Sequence, residues 1–205
     1  MAQLCQGEKP PESRVGLSFG AFRTRLVFVD RGTVDLEEVA IGGSFERKLN
    51  KQVTFQVSCG GIIYGRLGGP TAQPLHGMFV GAGVSWSVLN QKGAIPFVMT
   101  GLSVSASLAV PERGGDDGFY ALDFRGWVTA GYTFAKRFTA YGVGRLFGGP
   151  IALVEGGSTT ARGTDQYHFQ LGAGLVVGLP GGFDLSAELV PLGERRVSAG
   201  IGASF

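Results

Sequence analysis

Several features that are common in other classes of protein are scarce in this sequence. It has no run of about 18 uncharged apolar residues, which excludes a membrane-spanning helix. Charged residues make up only 17% of the 205 residues, few for an ordinary soluble enzyme, and the mean hydropathy of +0.18 is high for a soluble protein. The net charge of +2 gives no reason to expect a nucleic-acid partner. Because the chain has only two His, and its two Cys lie far apart in sequence, neither a metal site nor a cofactor is expected.

Glycine and phenylalanine, by contrast, are abundant, with 36 and 15 residues, and segments of period two recur along the chain. Alternation of apolar with small or polar residues is typical of β-strands that have one apolar face. In lipid every backbone N–H and C=O needs a partner, so such strands span a membrane only if the sheet closes on itself. We therefore predict an all-β fold: a closed up-and-down antiparallel transmembrane β-barrel over residues 14–205, preceded by a periplasmic tail over residues 1–13.

The number of strands follows from the connections between these segments. Tight turns alternate with longer loops, of which residues 148–164 form the longest. Both termini then lie on the tight-turn side, so the number of strands is even, and this side is expected to be periplasmic. About ten strands are predicted, with eight as the alternative, over the approximate ranges 14–29, 34–48, 52–66, 77–89, 95–109, 119–134, 138–147, 165–179, 183–191 and 195–205.

The apolar residues of each strand are predicted to face lipid, and the small or polar residues to face the lumen. In the strand 77–89, for example, Met78 and Val80 alternate with Phe79 and Gly81. A soluble barrel such as a lipocalin would have the inverse arrangement. The polar set favours the membrane interpretation, because it consists mostly of Gly, Ser, Thr and Gln and is too weakly charged for a solvated outer surface.

Charged residues at the inward positions come from several strands and carry both signs. They are Glu38, Glu46, Asp123, Arg125, Asp184, Glu188 and Arg196. In a narrow lumen such charges must pair or bear a large cost of desolvation. We therefore predict a lumen that is largely filled by small polar side chains and paired charges. A narrow, porin-like channel for ions or small solutes is the alternative.

His168, close to Asp165, raises a third and weaker possibility, an outer-membrane enzyme that hydrolyses lipid or peptide with His168 as the base. A second acidic pair at a matching position, which proteolysis would need, is not apparent in the sequence. We therefore predict that the protein is not an enzyme and assign no catalytic, cofactor-binding or metal-binding residue.

The last strand carries the most specific pattern. Its apolar residues alternate up to the terminus, at Val197, Ala199, Ile201, Ala203 and Phe205. Together with the strand-turn-strand segment 170–189, this strand resembles the closing hairpins of small outer-membrane barrels related to the transmembrane part of outer-membrane protein A and to outer-membrane proteins X and W. The resemblance covers about the last forty residues. Elsewhere the likeness is one of architecture.

This resemblance implies a place in the outer membrane of a Gram-negative cell envelope, contact with outer-membrane lipids, and insertion by the barrel-assembly machinery, which reads the last strand. The first residues lack the charged and apolar regions of a signal peptide. For an exported protein, we therefore expect this sequence to be the processed form. The predicted function is that of an integral barrel with a structural or surface-interaction role. The sequence does not identify a partner in a larger envelope complex.

Overall fold

The computed structural model describes residues 12–68, 74–112, 118–155 and 158–205. Most of the predicted tail therefore lies outside the described residues. The strands form one antiparallel sheet, and their bounds are β1 Ser13–Phe28, β2 Gly32–Lys48, β3 Val53–Leu67, β4 Pro74–Leu89, β5 Phe97–Pro111, β6 Gly118–Phe134, β7 Phe138–Gly148, β8 Ile151–Glu155, β9 Ser158–Asp165, β10 Phe169–Gly178, β11 Phe183–Gly193 and β12 Arg195–Ser204. Among these residues, no helix is long and apolar enough to cross a membrane.

The sheet closes between its first and last strands. β1 pairs with β12 in an antiparallel register that runs from Arg14 opposite Ser204 to Arg23 opposite Arg195. At the end of this ladder the main chains of Ser13 and Phe205 exchange two hydrogen bonds, each 3.0 Å long from N to O. The backbone of the wall thus has no open edge at this seam, as the hydrocarbon of a bilayer requires.

Two strands of the wall are each described in two pieces. β7 and β8 both pair with β6 and continue each other across the short break at Gly149 and Pro150. β9 and β10 run back alongside them in one continuous hairpin. Counted in this way, the described part of the chain forms a closed barrel of ten antiparallel strands, which confirms the predicted fold class and strand number.

The prediction of a long loop over residues 148–164 is wrong, because β8 and most of β9 lie within it. β9 passes beyond the short β11–β12 hairpin and pairs with β1, from Leu26 opposite Asp165 to Phe28 opposite Gly163. Beyond that hairpin, the wall in the described residues consists of eight strands: β1 to β6, β8 and β9. We call this part of the barrel, which continues beyond the level of Arg23 and Arg195, the outer extension.

The opposite end of the barrel holds Ser13, Phe205 and the connections between β2 and β3, β4 and β5, β6 and β7, and β10 and β11. The turn between β6 and β7 places Ala135 (φ 46°) and Lys136 (φ 57°) in the left-handed region. Together with the hydrogen bond of 3.0 Å from Arg137 N to Phe134 O, these φ angles match a type I′ turn, whose twist suits the flanking strands. A single 3₁₀ turn, Pro180–Gly182, makes the connection between β10 and β11. We call this end the tight-turn end.

An apolar belt surrounds the ten-stranded part of the barrel. Its members alternate along the strands and expose large side chains, as in Leu17 and Phe19 of β1 and Leu185 and Leu189 of β11. Within the described strands, charged residues appear at outward positions only beyond the belt. Arg23, Glu37 and Arg195 lie at one level at one end, and Arg47 lies at the other end. An exterior of this kind is stable in lipid and not in water.

The outer extension reverses the polarity of the belt. Outside it carries exposed charges, among them Arg25 and Asp35. Inside it is filled by an apolar cluster to which each of its eight strands contributes, namely Leu26, Phe28, Leu36, Ile62, Leu75, Ala109, Phe119, Ile151, Leu153 and Ala161. We call this cluster the apolar plug. The reversal follows from the change of solvent, since a wall in water buries its apolar face.

Candidate functional site

The lumen of the ten-stranded part is the candidate functional site, because it holds most of the buried charges of the protein. All seven charged residues that the sequence assigns to the lumen face inward. Glu38, Glu46, Asp123, Arg125 and Arg196 line a cavity. The other two, Asp184 and Glu188, form ion pairs whose side chains are 1% and 12% exposed.

The first cluster lies near the tight-turn end and centres on Arg14, which is not among the lumen residues predicted from the sequence. Its Nη2 lies 2.7 Å from Asp184 Oδ1, and its Nε donates to Asp184 Oδ2 at 3.0 Å. Its Nη1 donates to Glu46 Oε1 at 3.0 Å. The guanidinium lies over Gly202, where an added Cβ would stand only 2.3 Å from Arg14 Nη2. One arginine thus joins β1, β2 and β11 across the wall.

The second cluster lies further along the lumen, on β7, β10 and β11. Arg145 Nη2 contacts both carboxylate oxygens of Glu188, at 2.7 and 2.8 Å. Glu188 also accepts a hydrogen bond from the Tyr141 hydroxyl at 3.2 Å. Arg145 Nη1 donates to Gln170, which in turn donates to Glu194. These contacts make a continuous network of polar side chains across the inner wall.

A third group lies where the lumen meets the apolar plug. It consists of the carboxylates Glu38, Asp123, Asp165 and Glu194, which come from β2, β6, β9 and the β11–β12 turn. They act on one another electrostatically, Glu194 on both Glu38 and Asp165, and Asp123 on both Asp165 and Glu194. We call this group the acidic ring.

Not all carboxylates of the acidic ring have partners. Asp123 Oδ2 accepts from Arg125 Nη2 at 2.9 Å, and Asp165 Oδ1 accepts from Thr24 at 3.3 Å. Among the described residues, Glu38 Oε1 and Asp123 Oδ1 are buried without a hydrogen-bond partner. A buried polar atom of this kind is rare, because its desolvation is not compensated.

Two members of the acidic ring lie outside the membrane-spanning strand segments, and their acidity is perturbed. Burial, followed by the carboxylates of Glu194 and Asp123, raises the pKa of Asp165 to about 7. Burial also raises the pKa of Glu194, although Arg125 and Arg196 act in the opposite direction. A proton is therefore held more tightly at this end of the lumen than on a solvated carboxylate.

The cavity has a volume of about 520 Å³ and extends from Arg14 to Leu26 along β1. Its wall on the β1–β5 side is built of small residues, whereas apolar residues bound it where it meets the plug. The small wall residues include Gly16, Ser18, Gly42, Ser58, Gly81, Ser103 and Ser105. On the β5–β10 side the lumen is instead filled by Phe97, Tyr141, Val143 and Val176. The lumen is therefore filled by side chains on one side and open as a cavity on the other.

His168 does not join this site. Its ring is exposed, and its Nδ1 lies 3.2 Å from the backbone oxygen of Phe147. Asp165, its expected neighbour, turns into the lumen and bonds to Thr24. In the described part of the chain the structure shows no metal-binding group of three or more His, Cys, Asp or Glu side chains.

The closing strand has the facing expected of it. Val197, Ile201 and Phe205 expose 55%, 45% and 68% of their surface on the outside of the barrel. Ala199 and Ala203 lie on the same outward face, opposite Phe19 and Val15 of β1. The five residues thus form a continuous outward stripe at the seam of the barrel.

The closed ten-stranded wall, the apolar belt and the polar lumen define the class of the protein, which is a small β-barrel of the bacterial outer-membrane type. No protein-family model matches the sequence, and no curated protein is significantly similar to it.

The chain is similar in fold to several solved structures, among them the following three. The outer membrane protein OprG from Pseudomonas aeruginosa has a TM-score of 0.49 and 7% identity, over 97% of this chain and 98% of that one. The outer membrane protease OmpT from Escherichia coli has a TM-score of 0.49 and 10% identity, over 98% and 100%. The translocator domain of the autotransporter NalP from Neisseria meningitidis has a TM-score of 0.48 and 13% identity, over 98% and 91%. Identities this low carry no information on substrate or activity.

Proposed function

We propose that the protein is an integral outer-membrane β-barrel with a structural or surface-interaction role, and that its lumen does not conduct. The observation that carries the proposal is the apolar plug, to which all eight strands of the outer extension contribute. Ions and polar solutes cross such a packed apolar layer only at a high cost of desolvation. The charged exterior of the outer extension is then the surface that meets the environment.

A further observation supports a closed lumen. The cluster around Arg14 ties three strands together near the tight-turn end, and Asp184 within it is 1% exposed. Paired buried charges of this kind are costly to separate. The barrel thus has an obstacle near each end, apolar at one and ionic at the other.

Recording in planar bilayers tests the proposal. The purified full-length protein is expected to give no stable unit conductance. As a positive control, a variant that lacks residues 151–165 and carries Arg14→Ala, with folding verified by a heat-modifiable gel shift, is expected to give steps, because it loses β8, β9 and part of the plug together with the ionic obstacle. Stable steps from the unaltered protein would contradict the proposal.

A narrow channel is the second candidate, because a cavity of about 520 Å³ extends through the lumen from Arg14 to Leu26. For this function, conductance steps of the unaltered protein should change on replacing Glu188 or Arg196, which both lie on the inner wall. The absence of any step would remove this candidate.

The non-enzymatic role is supported by the exposed position of His168, apart from the acidic ring. A hydrolase that uses His168 should lose its activity on lipid or peptide substrates in the His168→Ala variant. An activity that this variant retains would not depend on His168.

The closing strand is the proposed contact of the barrel-assembly machinery during insertion, with outer-membrane lipids as the later partner of the belt. Its support is the outward stripe that ends at Phe205. Phe205→Ser should lower the amount inserted in cells, while refolding of the purified variant into detergent micelles stays near that of the unaltered protein. Equal insertion in cells would contradict the assembly role of Phe205.

A further inference from the structure

Glu38 is the buried charged group that the described contacts explain least. It is only 5% exposed, and its Oε1 has no hydrogen-bond partner among the described residues. It lies on β2 and lines the cavity just below the apolar plug. A carboxylate oxygen in this position needs a donor to offset its desolvation.

The neighbours of Glu38 do not supply a balancing charge. The nearby carboxylate of Glu194 repels it, and Asp123 presents a second buried oxygen without a partner. Of the cations in this part of the lumen, Arg125 is engaged by Asp123, and Arg145 is engaged by Glu188. Arg196 also lines the cavity, and it interacts electrostatically with Glu188 and Glu194. The acidic ring therefore has buried carboxylate oxygens that accept no hydrogen bond, and a bound ligand with a donor group would satisfy them.

The size of the cavity favours an organic group over a metal ion. A volume of about 520 Å³ lies within the range of small-molecule sites, roughly 300–1,000 Å³. The described residues contain no group of His, Cys, Asp and Glu that is arranged to hold a metal ion. The acidic ring is too dispersed for metal coordination but suits an extended ligand.

The walls around the acidic ring are apolar on one side and small and polar on the other. Phe22, Leu36, Ile62 and Phe119 line the cavity towards the plug. Serine and glycine line it towards the tight-turn end, where it reaches Arg14 and Glu46. A ligand that matches these walls has a cationic group and an apolar body.

We propose that this cavity binds a small organic cation, a protonated amine with an apolar body, whose ammonium group donates to Glu38 and whose apolar part packs beneath the apolar plug. Binding requires neither conduction nor catalysis, so the proposal goes beyond the structural role.

The test uses the full-length protein in detergent micelles at pH 7.5 and isothermal titration calorimetry with two probes of equal shape. 2-Phenylethylamine carries the charge, and 2-phenylethanol lacks it. The amine is expected to bind at least tenfold more tightly than the alcohol. Titration into protein-free micelles corrects for partition of either probe into detergent.

Two variants on adjacent positions localise the site. Glu38→Gln keeps the shape of the side chain and should weaken binding of the amine at least tenfold. Glu37→Gln removes a charge of the same sign from the outer surface, where Glu37 pairs with Arg23 at 3.3 Å, and should leave binding unchanged. Asp123→Asn, which alters the second buried acceptor, should weaken binding of the amine as well. This variant replaces Glu38→Gln in the test if Glu38→Gln does not fold.

Three results would overturn the proposal: no heat above the micelle control, equal affinity for amine and alcohol, or equal loss of affinity in the Glu37 and Glu38 variants. Conductance is measured separately. A conducting lumen that still binds the amine through Glu38 would contradict the closed-lumen function and leave the binding site in place.

Discussion

The side chains of Arg14 and Asp184 form a two-pronged ion pair that passes over the last strand of the barrel. Their contacts measure 2.7 and 3.0 Å, and the guanidinium lies above Gly202 of the intervening strand β12. The pair therefore links β1 to β11 without direct backbone pairing between them. On the lumen side, it stabilises the seam at which β1 and β12 close the barrel.

Removal of one partner of this pair should destabilise the barrel strongly. Asp184 is 1% exposed, so Asp184→Ala leaves Arg14 partly buried without its main partner, at a cost of about 3–5 kcal/mol. The free energy of unfolding in urea, followed by tryptophan fluorescence in detergent micelles, measures the loss. The double variant with Arg14→Ala should lose less than the sum of the single losses.

The exposed pair of Arg25 and Asp35 provides the control. Its atoms approach to 2.9 Å, but the two side chains are 53% and 34% exposed. Asp35→Ala should therefore cost less than about 1 kcal/mol. Equal losses for Asp35→Ala and Asp184→Ala would show that burial of the Arg14 pair does not matter.

The apolar belt predicts that the stability lost on introducing a charged side chain depends on its depth in the membrane. Leu175 lies near the middle of the outward stripe of β10 and is 44% exposed, so Leu175→Arg should cost about 2–4 kcal/mol in a bilayer. Leu171→Arg should cost less, since Leu171 lies opposite Leu192 near the end of β11. The measurement is the free energy of unfolding from lipid vesicles.

Val27→Arg is the matched control for the belt. Val27 is also apolar and is 38% exposed, but it lies in the outer extension beyond Arg23 and Arg25. Arginine there remains in water and should change the stability by less than about 0.5 kcal/mol. Similar costs at Leu175 and Val27 would contradict the position of the membrane around the belt.

Sequence periodicity predicted the belt well but not the outer extension. In the belt, lipid outside and small residues inside give an alternation that can be read without a structure. In the extension, Ile151 and Leu153 face inward and form part of the plug, so the rule that apolar residues face lipid no longer applies. The segment also contains Gly and Ser, which are typical of loops.

In the site, too, sequence periodicity predicts the facing of some charged residues and not of others. Inward charges in the middle of regular strands, such as Glu38 and Glu188, can be assigned from the period of two. Arg14 lies at the beginning of β1, and Glu194 lies in a turn, so no long alternating segment indicates their direction. The contacts among them join distant parts of the chain, Arg14 and Asp184 being 170 residues apart.

The turn between β6 and β7 predicts a stabilising change. Ala135 and Lys136 both have positive φ, which costs roughly 1–2 kcal/mol for a residue that is neither Gly nor Asn. The double substitution Ala135→Asn with Lys136→Gly suits a type I′ turn and should raise the free energy of unfolding by about 1–2 kcal/mol. Urea unfolding in micelles measures the gain.

Lys92 in another tight turn serves as the control, because it is not among the residues with positive φ. Lys92→Gly should lower the stability slightly, since glycine gains more freedom in the unfolded chain. An increase of the same size for Lys92→Gly would show that the gain at Ala135 and Lys136 does not come from their dihedral angles.

Asp165 in the outer extension predicts a dependence of stability on pH. Burial and the carboxylates of Glu194 and Asp123 raise its pKa from 3.8 to about 7. Between these values the unfolded chain releases the proton of Asp165 while the folded protein retains it. The contribution of this group to stability is therefore complete below about pH 4 and is lost as the pH rises to about 7.

Asp165→Asn should remove this part of the pH dependence. Between pH 4 and 7, the variant should lose less stability than the unaltered protein. The two slopes of unfolding free energy against pH should differ by at most about 1.4 kcal/mol per pH unit. Urea unfolding at a series of pH values measures both slopes. Asp35→Asn is the control, because hydrogen bonds from Arg25 and Arg23 lower the pKa of Asp35, so its contribution changes only below about pH 4. Identical slopes for the unaltered protein and Asp165→Asn between pH 4 and 7 would contradict a protonated Asp165 at the boundary between lumen and plug.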